Sequence, residues 1–326
     1  MRGLKRIIQA EELWFFLLDF LFTSQILEFI YNIMMKHYLR KITDLNVLLL
    51  FALACTTHAQ VASKHFLVTG NYFGINSDLD VPTSAGVDTK VTNDREGDLW
   101  GASITYQVSD KSFLDFHYHW GDSNASFSET YADPASFGAL DGTAFNNLVD
   151  ADDRWYELRY RRNLTPAQGQ SFYGFFAGGI TFIESDSNTR SNITFPAGTG
   201  LASISGLKTA TAESDSLFLN GGGGLSWYQV AGNMTYGLRG DANVLLGRAK
   251  NVSSTFDTLG ALTSTTTTKE TIFGALGGLS AWSQFSISSA AKIYLDGGIK
   301  AYYWDLDAGD QLIYGPHARL GLNFNY

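Results

Sequence analysis

The sequence predicts an all-β fold: an antiparallel transmembrane β-barrel of about ten strands, preceded by an N-terminal signal peptide. Three observations predict it. From residue 63 onward, segments in which apolar and polar residues alternate recur along the chain. The links between these segments are short and long by turns. No run in this region reaches the roughly 18 consecutive apolar residues that a membrane-spanning helix needs.

Composition narrows the alternatives. The chain has 326 residues, 45% hydrophobic and 14% aromatic, with 33 glycines and 5 prolines. Charged residues make up 17%, against about 25% in an average soluble chain. This profile excludes collagen, coiled coil and disorder. Lys and Arg total 23 against 32 Asp and Glu, a net charge of -9, which argues against a nucleic-acid partner held by phosphate neutralisation. The single cysteine, Cys55, rules out a disulfide scaffold and a zinc-thiolate site. No cofactor motif is present.

Residues 34–59 have the layout of a signal peptide. Lys36, Arg40 and Lys41 precede an apolar run from Leu45 to Ala54, and small residues follow. Cleavage is expected after Ala59, so that the mature chain, 60–326, starts at Gln60. Met34 and Met35 directly precede the basic stretch, so residues 1–33 read as an upstream or mis-started extension. A membrane helix over 13–33 is the competing reading, but Asp19 and Glu28 lie inside it, and an Asp at mid-bilayer costs about 2.5 to 3.5 kcal/mol. Cys55 follows Ala52-Leu53-Ala54, a poor lipoprotein box without the usual branched residue.

The strands follow from period two. In 99–108, Trp100, Ala102, Ile104, Tyr106 and Val108 share one face, and Gly101, Ser103, Thr105 and Gln107 the other. In 113–120, Leu114, Phe116, Tyr118 and Trp120 oppose Asp115, His117 and His119. Tyr156, Leu158 and Tyr160 oppose Glu157, Arg159 and Arg161, and in 236–244 Leu238, Ala242 and Val244 oppose Arg239, Asp241 and Asn243. Such segments are strands with one apolar and one polar face. Strands are expected over 63–75, 95–108, 112–121, 153–164, 171–184, 214–229, 234–247, 271–285, 292–304 and 311–326. Short links then alternate with long loops at 76–94, 122–152, 185–213 and 248–270, and only the last outer link, 305–310, is short. Short turns on one side and long loops on the other are the plan of membrane barrels. Pro82, Pro134, Pro166 and Pro196 fall in the links, as a hydrogen-bonded ladder requires.

The chain ends ARLGLNFNY, with Leu320, Leu322, Phe324 and Tyr326 on one parity. This resembles the C-terminal assembly signal of Gram-negative outer-membrane proteins, which implies the barrel-assembly machinery, outer-membrane lipid and lipopolysaccharide as partners and the outer membrane as location. The layout over 60–326 is similar to the ten-stranded omptin proteases in strand number and to the small OmpA-like barrels in design. The tryptophans are expected in two interfacial girdles, with Trp100, Trp120, Trp155 and Trp304 outside and Trp227 and Trp282 inside.

On this parity the lumen receives Asp115, Glu157, Asp241 and Asp296 together with Arg159, Arg161, Arg239, Lys300 and Arg319. Near balance of sign suggests an ion-pair network that plugs the lumen, where a ring of one sign would suggest an ion-selective pore. Hairpin geometry places Asp296 opposite Arg319, Asp115 opposite Arg161, His119 opposite Glu157, Arg239 opposite Gly224 and Asp241 opposite Gly222.

Catalysis finds weaker support. An omptin-like site would need Asp-His and Asp-Asp pairs at the outer rim, for which only His119 with Asp122 and Asp305 with Asp307 are available. Asp305, Asp307 and Asp310, and separately Asp150, Asp152 and Asp153, have spacings that calcium could use, but no bidentate Glu completes an EF-hand loop and Pro316 stands at that position. No G-x-S-x-G elbow occurs in the mature chain. The expectation is therefore a non-enzymatic, largely plugged barrel with a structural or surface-interaction role through its long loops, among them the tract Thr265 to Thr268. A possible extracellular ligand would bind there, and a narrow, porin-like solute channel is the alternative.

Overall fold

The computed structural model describes residues 65–78, 86–132, 141–164, 171–257, 259–306 and 309–325. The upstream extension, the signal peptide with Cys55, and Tyr326 lie outside the described residues. Ten strands follow one another: β1 (His65–Ser77), β2 (Val87–Ser109), β3 (Ser112–Tyr131), β4 (Ala144–Asn163), β5 (Phe172–Thr194), β6 (Ile204–Ala231), β7 (Met234–Phe256), β8 (Leu262–Ser286), β9 (Ala291–Leu306) and β10 (Gly309–Asn325). Each pairs antiparallel with its chain neighbours, and β1 closes the barrel on β10 from His65↔Asn325 to Ser77↔Ile313. Closure leaves no edge at membrane depth, as a bilayer without water demands.

The long loops expected at 122–152, 185–213 and 248–270 are largely strand. Pairing of β3 with β4 continues to Thr130↔Ala144, of β5 with β6 to Ile193↔Ile204, and of β7 with β8 to Phe256↔Leu262. The second strand likewise starts at Val87 rather than 95. Apolar alternation marks a strand only where one face meets lipid. Beyond the membrane the ladder continues in Ser- and Thr-rich sequence, where Thr has high strand propensity. Cross-strand hydroxyl contacts support it, as between Ser254 and Thr265 (3.1 Å) and between Thr255 and Thr263 (2.9 Å).

At the opposite end the connections are tight. Asp110-Lys111 joins β2 to β3, and Gly232-Asn233 joins β6 to β7. Gly232 alone of that pair has a positive φ, 61°, the pattern of a II′ hairpin with glycine first. Outward side chains form an apolar belt. On β7 it comprises Tyr236, Leu238, Ala242, Val244 and Leu246, with Leu238 and Val244 more than half exposed. At about 3.3 Å per residue and a tilt near 40°, those strand positions span roughly 25 Å, the height of a barrel's lipid-facing band.

Trp100 and Trp120 face outward opposite each other at the outer edge of this belt, with Tyr72 5.1 Å from Trp100 and Tyr118 5.2 Å from Trp120 between ring centroids. Trp227 faces outward at the inner edge, 6.2 Å from Tyr236. The other three tryptophans depart from the girdle expectation. Trp155 and Trp304 are buried in the lumen, and Trp282 lines its inner end. Their strand parity is inward, so they meet protein rather than headgroups.

Glycines open space inside. Gly224 on β6 lies opposite Asp241 on β7, and a Cβ there would come within 2.2 Å of the Gly240 carbonyl and 2.5 Å of Phe175 Cζ. Backbone cannot give way as a flexible side chain can, so Gly224→Ala is expected to lower stability by about 1 to 3 kcal/mol. A urea titration of the refolded variant checks this, and an unchanged midpoint would show that the wall is softer than it looks.

Candidate functional site

Four levels stack along the lumen. At the outer mouth, Arg95 on β2 donates to Ser123 Oγ (2.8 Å) and Ser185 Oγ (3.2 Å) and pairs with Asp153 on β4. Asp153 is 1% exposed and also accepts from Ser123 (2.6 Å).

Below the mouth lies an apolar layer that the parity argument did not anticipate. Among the described residues, one buried cluster joins Phe73, Ile75, Leu99, Trp155, Ile183, Phe218, Leu245, Ala249, Ile272, Leu276, Tyr302, Trp304 and Ile313. They come from every strand except β3. Their rings meet across the lumen rather than along the wall. Phe73 of β1 lies 5.5 Å from Trp155 of β4, Trp155 lies 5.1 Å from Tyr302 of β9 in an edge-on contact, and Phe218 of β6 lies 5.4 Å from Trp304. These are aromatic packing distances that add to area burial.

The third level holds the lumen charges. The Asp296 carboxylate, whose side chain is 0% exposed, accepts from Arg319 Nη2 (2.6 Å) and Tyr294 Oη (2.7 Å) and contacts His317 Nε2 (2.9 Å). Arg159 on β4 reaches across the lumen to Asp241 on β7 (2.9 Å), and Asn243 Nδ2 donates to the same carboxylate (3.0 Å). Asp115 accepts from Thr105 Oγ1 (2.6 Å), with Arg161 Nε 3.6 Å away and the Arg161 guanidinium over the Phe113 ring at 4.7 Å. Glu157 is buried, and its Oε1 has no hydrogen-bond partner among the described residues. His117 and His119 stack with centroids 6.4 Å apart.

Register departs from the sequence expectation in two hairpins. Asp296 does stand opposite Arg319. In β3–β4, however, Asp115 stands opposite Arg159, and His117 rather than His119 opposite Glu157. In β6–β7, Arg239 stands opposite Ser226 and Asp241 opposite Gly224. Both are slips of two residues, which preserve the face and change the neighbour. The Gly232-Asn233 turn takes only two residues where a longer one was expected.

The fourth level is the open part of the charged one, a chamber of about 560 Å3 that extends from Arg159, Arg239 and Lys300 past Trp282 to turn residues Asp110 and Lys111. It opens at the short-turn end.

Other candidate residues scatter. His119 lines the lumen and Asp122 is exposed outside, as positions three apart on a strand must be. Asp153 points inward to Arg95, while Asp150 and Asp152 are exposed. Asp305 is exposed beside the Leu306–Gly309 turn, and Asp307 lies outside the described residues. Among the described residues no group of three His, Cys, Asp or Glu side chains is placed to hold a metal ion.

The outer collar is segregated by charge. Asp98, Asp122, Asp152, Asp186 and Glu213 stand directly opposite one another across β2 to β6, all exposed. Asp122 lies just beyond the Trp120 girdle. A hydrogen bond shared with Asp152, then burial and repulsion from Asp152 and Asp153, hold its carboxyl above the usual range. A raised folded-state pKa means that protonation favours the fold. That contribution is complete below the ordinary Asp value of about 3.9 and disappears as pH rises through the folded value. Acidification from neutral pH toward 4 should therefore protect the β3–β4 hairpin from proteolysis in the wild type. The same acidification should protect Asp122→Asn less.

No family model and no curated protein sequence matches the chain. Solved structures do. The outer-membrane protease OmpT from Escherichia coli matches over 82% of this chain and 99% of its own, with a TM-score of 0.51 and 8% identity. The translocator domain of the autotransporter NalP from Neisseria meningitidis covers 86% and 94% at 9% identity and a TM-score of 0.34. OprG from Pseudomonas aeruginosa covers 81% and 96% at 12% identity and a TM-score of 0.30. The fold is that of bacterial outer-membrane β-barrels, and identities this low speak to fold alone.

Proposed function

We propose that this chain is a non-enzymatic barrel of the bacterial outer membrane, exported through a cleaved signal peptide, closed to solutes, and active at the cell surface through its extended outer hairpins. One observation carries the reading: the apolar layer whose side chains meet across the lumen. Water-filled channels keep a polar path, whereas packed aromatic contacts leave none. The ion pairs beneath brace the wall. Separation of His119 from Asp122 to opposite faces supports the non-enzymatic reading, because an omptin-like Asp-His pair would need both on one face.

Surface interaction has its own support. Residues 262–272 of β8 pair only with β7 among the described residues, because pairing with β9 begins at Phe273↔Asp305. Among the described residues, 87–94 of β2 pair only with β3, since the β1 ladder stops at Ser77↔Arg95. Among the described residues the outer wall therefore ends in two unpaired strand edges, where an extended partner segment could add a strand. Lys269 and Glu270 place charges along the β8 edge, a common guard against unselective pairing. Below it, Arg248, Lys250 and Lys269 form an exposed basic cluster just above Leu246 and Phe273, suited to lipopolysaccharide phosphates. Leu320, Leu322 and Phe324 face outward on the closing strand, where the assembly machinery would read them.

Planar-bilayer recording of refolded protein tests closure. Silence is expected, and steady open channels in the wild type would install the narrow solute channel instead. A tag at Gly198, in the 195–203 connection where φ is +96° and a Cβ meets open space, should be detected on intact cells. Mass spectrometry should find a mature chain beginning near Gln60; a retained Met1 or an acylated Cys55 would overturn the export reading.

A further inference from the structure

The chamber at the short-turn end is out of character with the rest of the molecule. The whole chain carries a net charge of -9, yet seven basic side chains line this chamber against three carboxylates, Asp110, Asp115 and Asp241. Two of those acids are already engaged: Asp115 by Thr105 and Arg161, and Asp241 by Arg159 and Asn243. Asp296, deeper in the wall, is filled by Arg319, Tyr294 and His317.

Two cations remain. Among the described residues, neither Arg239 nor Lys300 makes a side-chain hydrogen bond or an ion pair. Arg239 stands between Ser226 and Ser280, with its guanidinium over the Trp282 ring at 6.0 Å and its Nε buried without a partner. Lys300 stands between Gly278 and Gly315, which contribute no side chain to answer it, and Glu157 acts on it only through space. Cations enclosed by a low-dielectric wall and left without a contacting counter-charge are costly, and the same enclosure strengthens their pull on an anion.

We propose that this chamber binds a small, multiply charged oxyanion, a free phosphate- or carboxylate-bearing solute, between Arg239 and Lys300. Its volume of about 560 Å3 falls within the ordinary range of small-ligand pockets. Guanidinium forks match phosphate and carboxylate oxygens, and an ammonium adds a compact point charge. The apolar layer closes the far end, so the chamber is a dead end that holds an anion rather than passing it. This inference needs neither the orientation of the barrel nor its surface role.

Inorganic pyrophosphate is the probe. The barrel, refolded in detergent at constant ionic strength, is titrated calorimetrically while its thermal unfolding is followed. One saturable site per barrel is expected, with a midpoint that rises with ligand because only the native state binds. Arg239→Gln and Lys300→Met should each weaken binding by about tenfold or more. Lys208→Gln, at the far outer end, should leave it unchanged. Heat-modifiable gel mobility reports folding; if Arg239→Gln does not fold, Arg239→Lys keeps the charge without the fork and should bind more weakly than wild type. Short-chain phosphatidylglycerol should not compete, because the wall excludes acyl chains from the lumen, and competition would assign the site to a lipid headgroup. Absence of saturable binding in the wild type, or equal binding by all variants, overturns the proposal.

Discussion

Trimming the apolar layer is expected to turn a silent barrel into a conducting one. Phe73, Trp155 and Tyr302 meet at 5.1 to 6.1 Å between centroids across the lumen, from β1, β4 and β9. Replacing Phe73 or Trp155 by Ala removes a large buried ring that the rigid strand ladder cannot follow inward, so a cavity stays open. Each substitution should cost about 3 to 5 kcal/mol of stability. The Phe73→Ala, Trp155→Ala double variant should cost less than the sum, since the two rings share one contact. In planar bilayers the double variant should show discrete openings, because the polar mouth around Arg95 and Asp153 and the charged chamber below would then be joined by water. Trp120→Ala, on the lipid face, should lose stability without gaining conductance. A folded double variant that stays silent would move the closure away from this layer.

The second large effect is electrostatic. Asp296 has no exposed side-chain surface and receives Arg319, Tyr294 and His317. Asp296→Ala leaves the Arg319 guanidinium enclosed without its carboxylate, and Arg319→Ala leaves the carboxylate without its cation. Breaking a buried pair on one side costs about 3 to 5 kcal/mol. The double variant should be less damaging than the two losses added, because it removes both charges together. Denaturant titration of the four proteins measures the coupling. Simple additivity would mean that water in the chamber already screens the pair. Conductance should change little in any of them, since these residues lie below the apolar layer. That outcome distinguishes bracing from plugging.

The contrast between these two experiments follows from where the sequence was legible. Alternation in 99–108, 113–120 and 236–244 reports which face of a strand a residue takes, because the side-chain period is a local property of the backbone. Asp115, Glu157, Arg159, Arg239, Asp241 and Asp296 could therefore be assigned to the lumen from sequence. Pairing across the last hairpin could be assigned too, because its turn was centred correctly, with Trp304 opposite Gln311, whereas the β6–β7 turn was centred one residue too early. Elsewhere a slip of two residues preserves every face and costs the pattern nothing, so Asp115 could be matched to Arg161 and Arg239 to Gly224. Only the ladder itself placed them opposite Arg159 and Ser226.

What the amino-acid sequence determined by itself was the kind of object: ten alternating segments, tight turns at one end, an apolar exterior, and an inward set of charges. The level at which each inward residue sits was decided by the closed barrel. Closure requires the strands to tilt and their registers to stagger, and that stagger brings Phe73, Trp155, Phe218, Tyr302 and Trp304 to one height although they are distant in the chain. Trp155 and Trp304 stand at the ends of their alternating segments, where girdle residues are expected, but their parity is inward, and closure of the barrel brings them together across the lumen. Likewise Arg239 and Lys300 appear as members of a balanced charge set until the fold distributes the acids. Asp296, Asp241 and Asp115 then go to Arg319, Arg159 and Arg161, Glu157 forms no ion pair among the described residues, and Arg239 and Lys300 are left facing an open chamber. Local periodicity carries the face of a residue; its height and its partner depend on strands that no local signal connects.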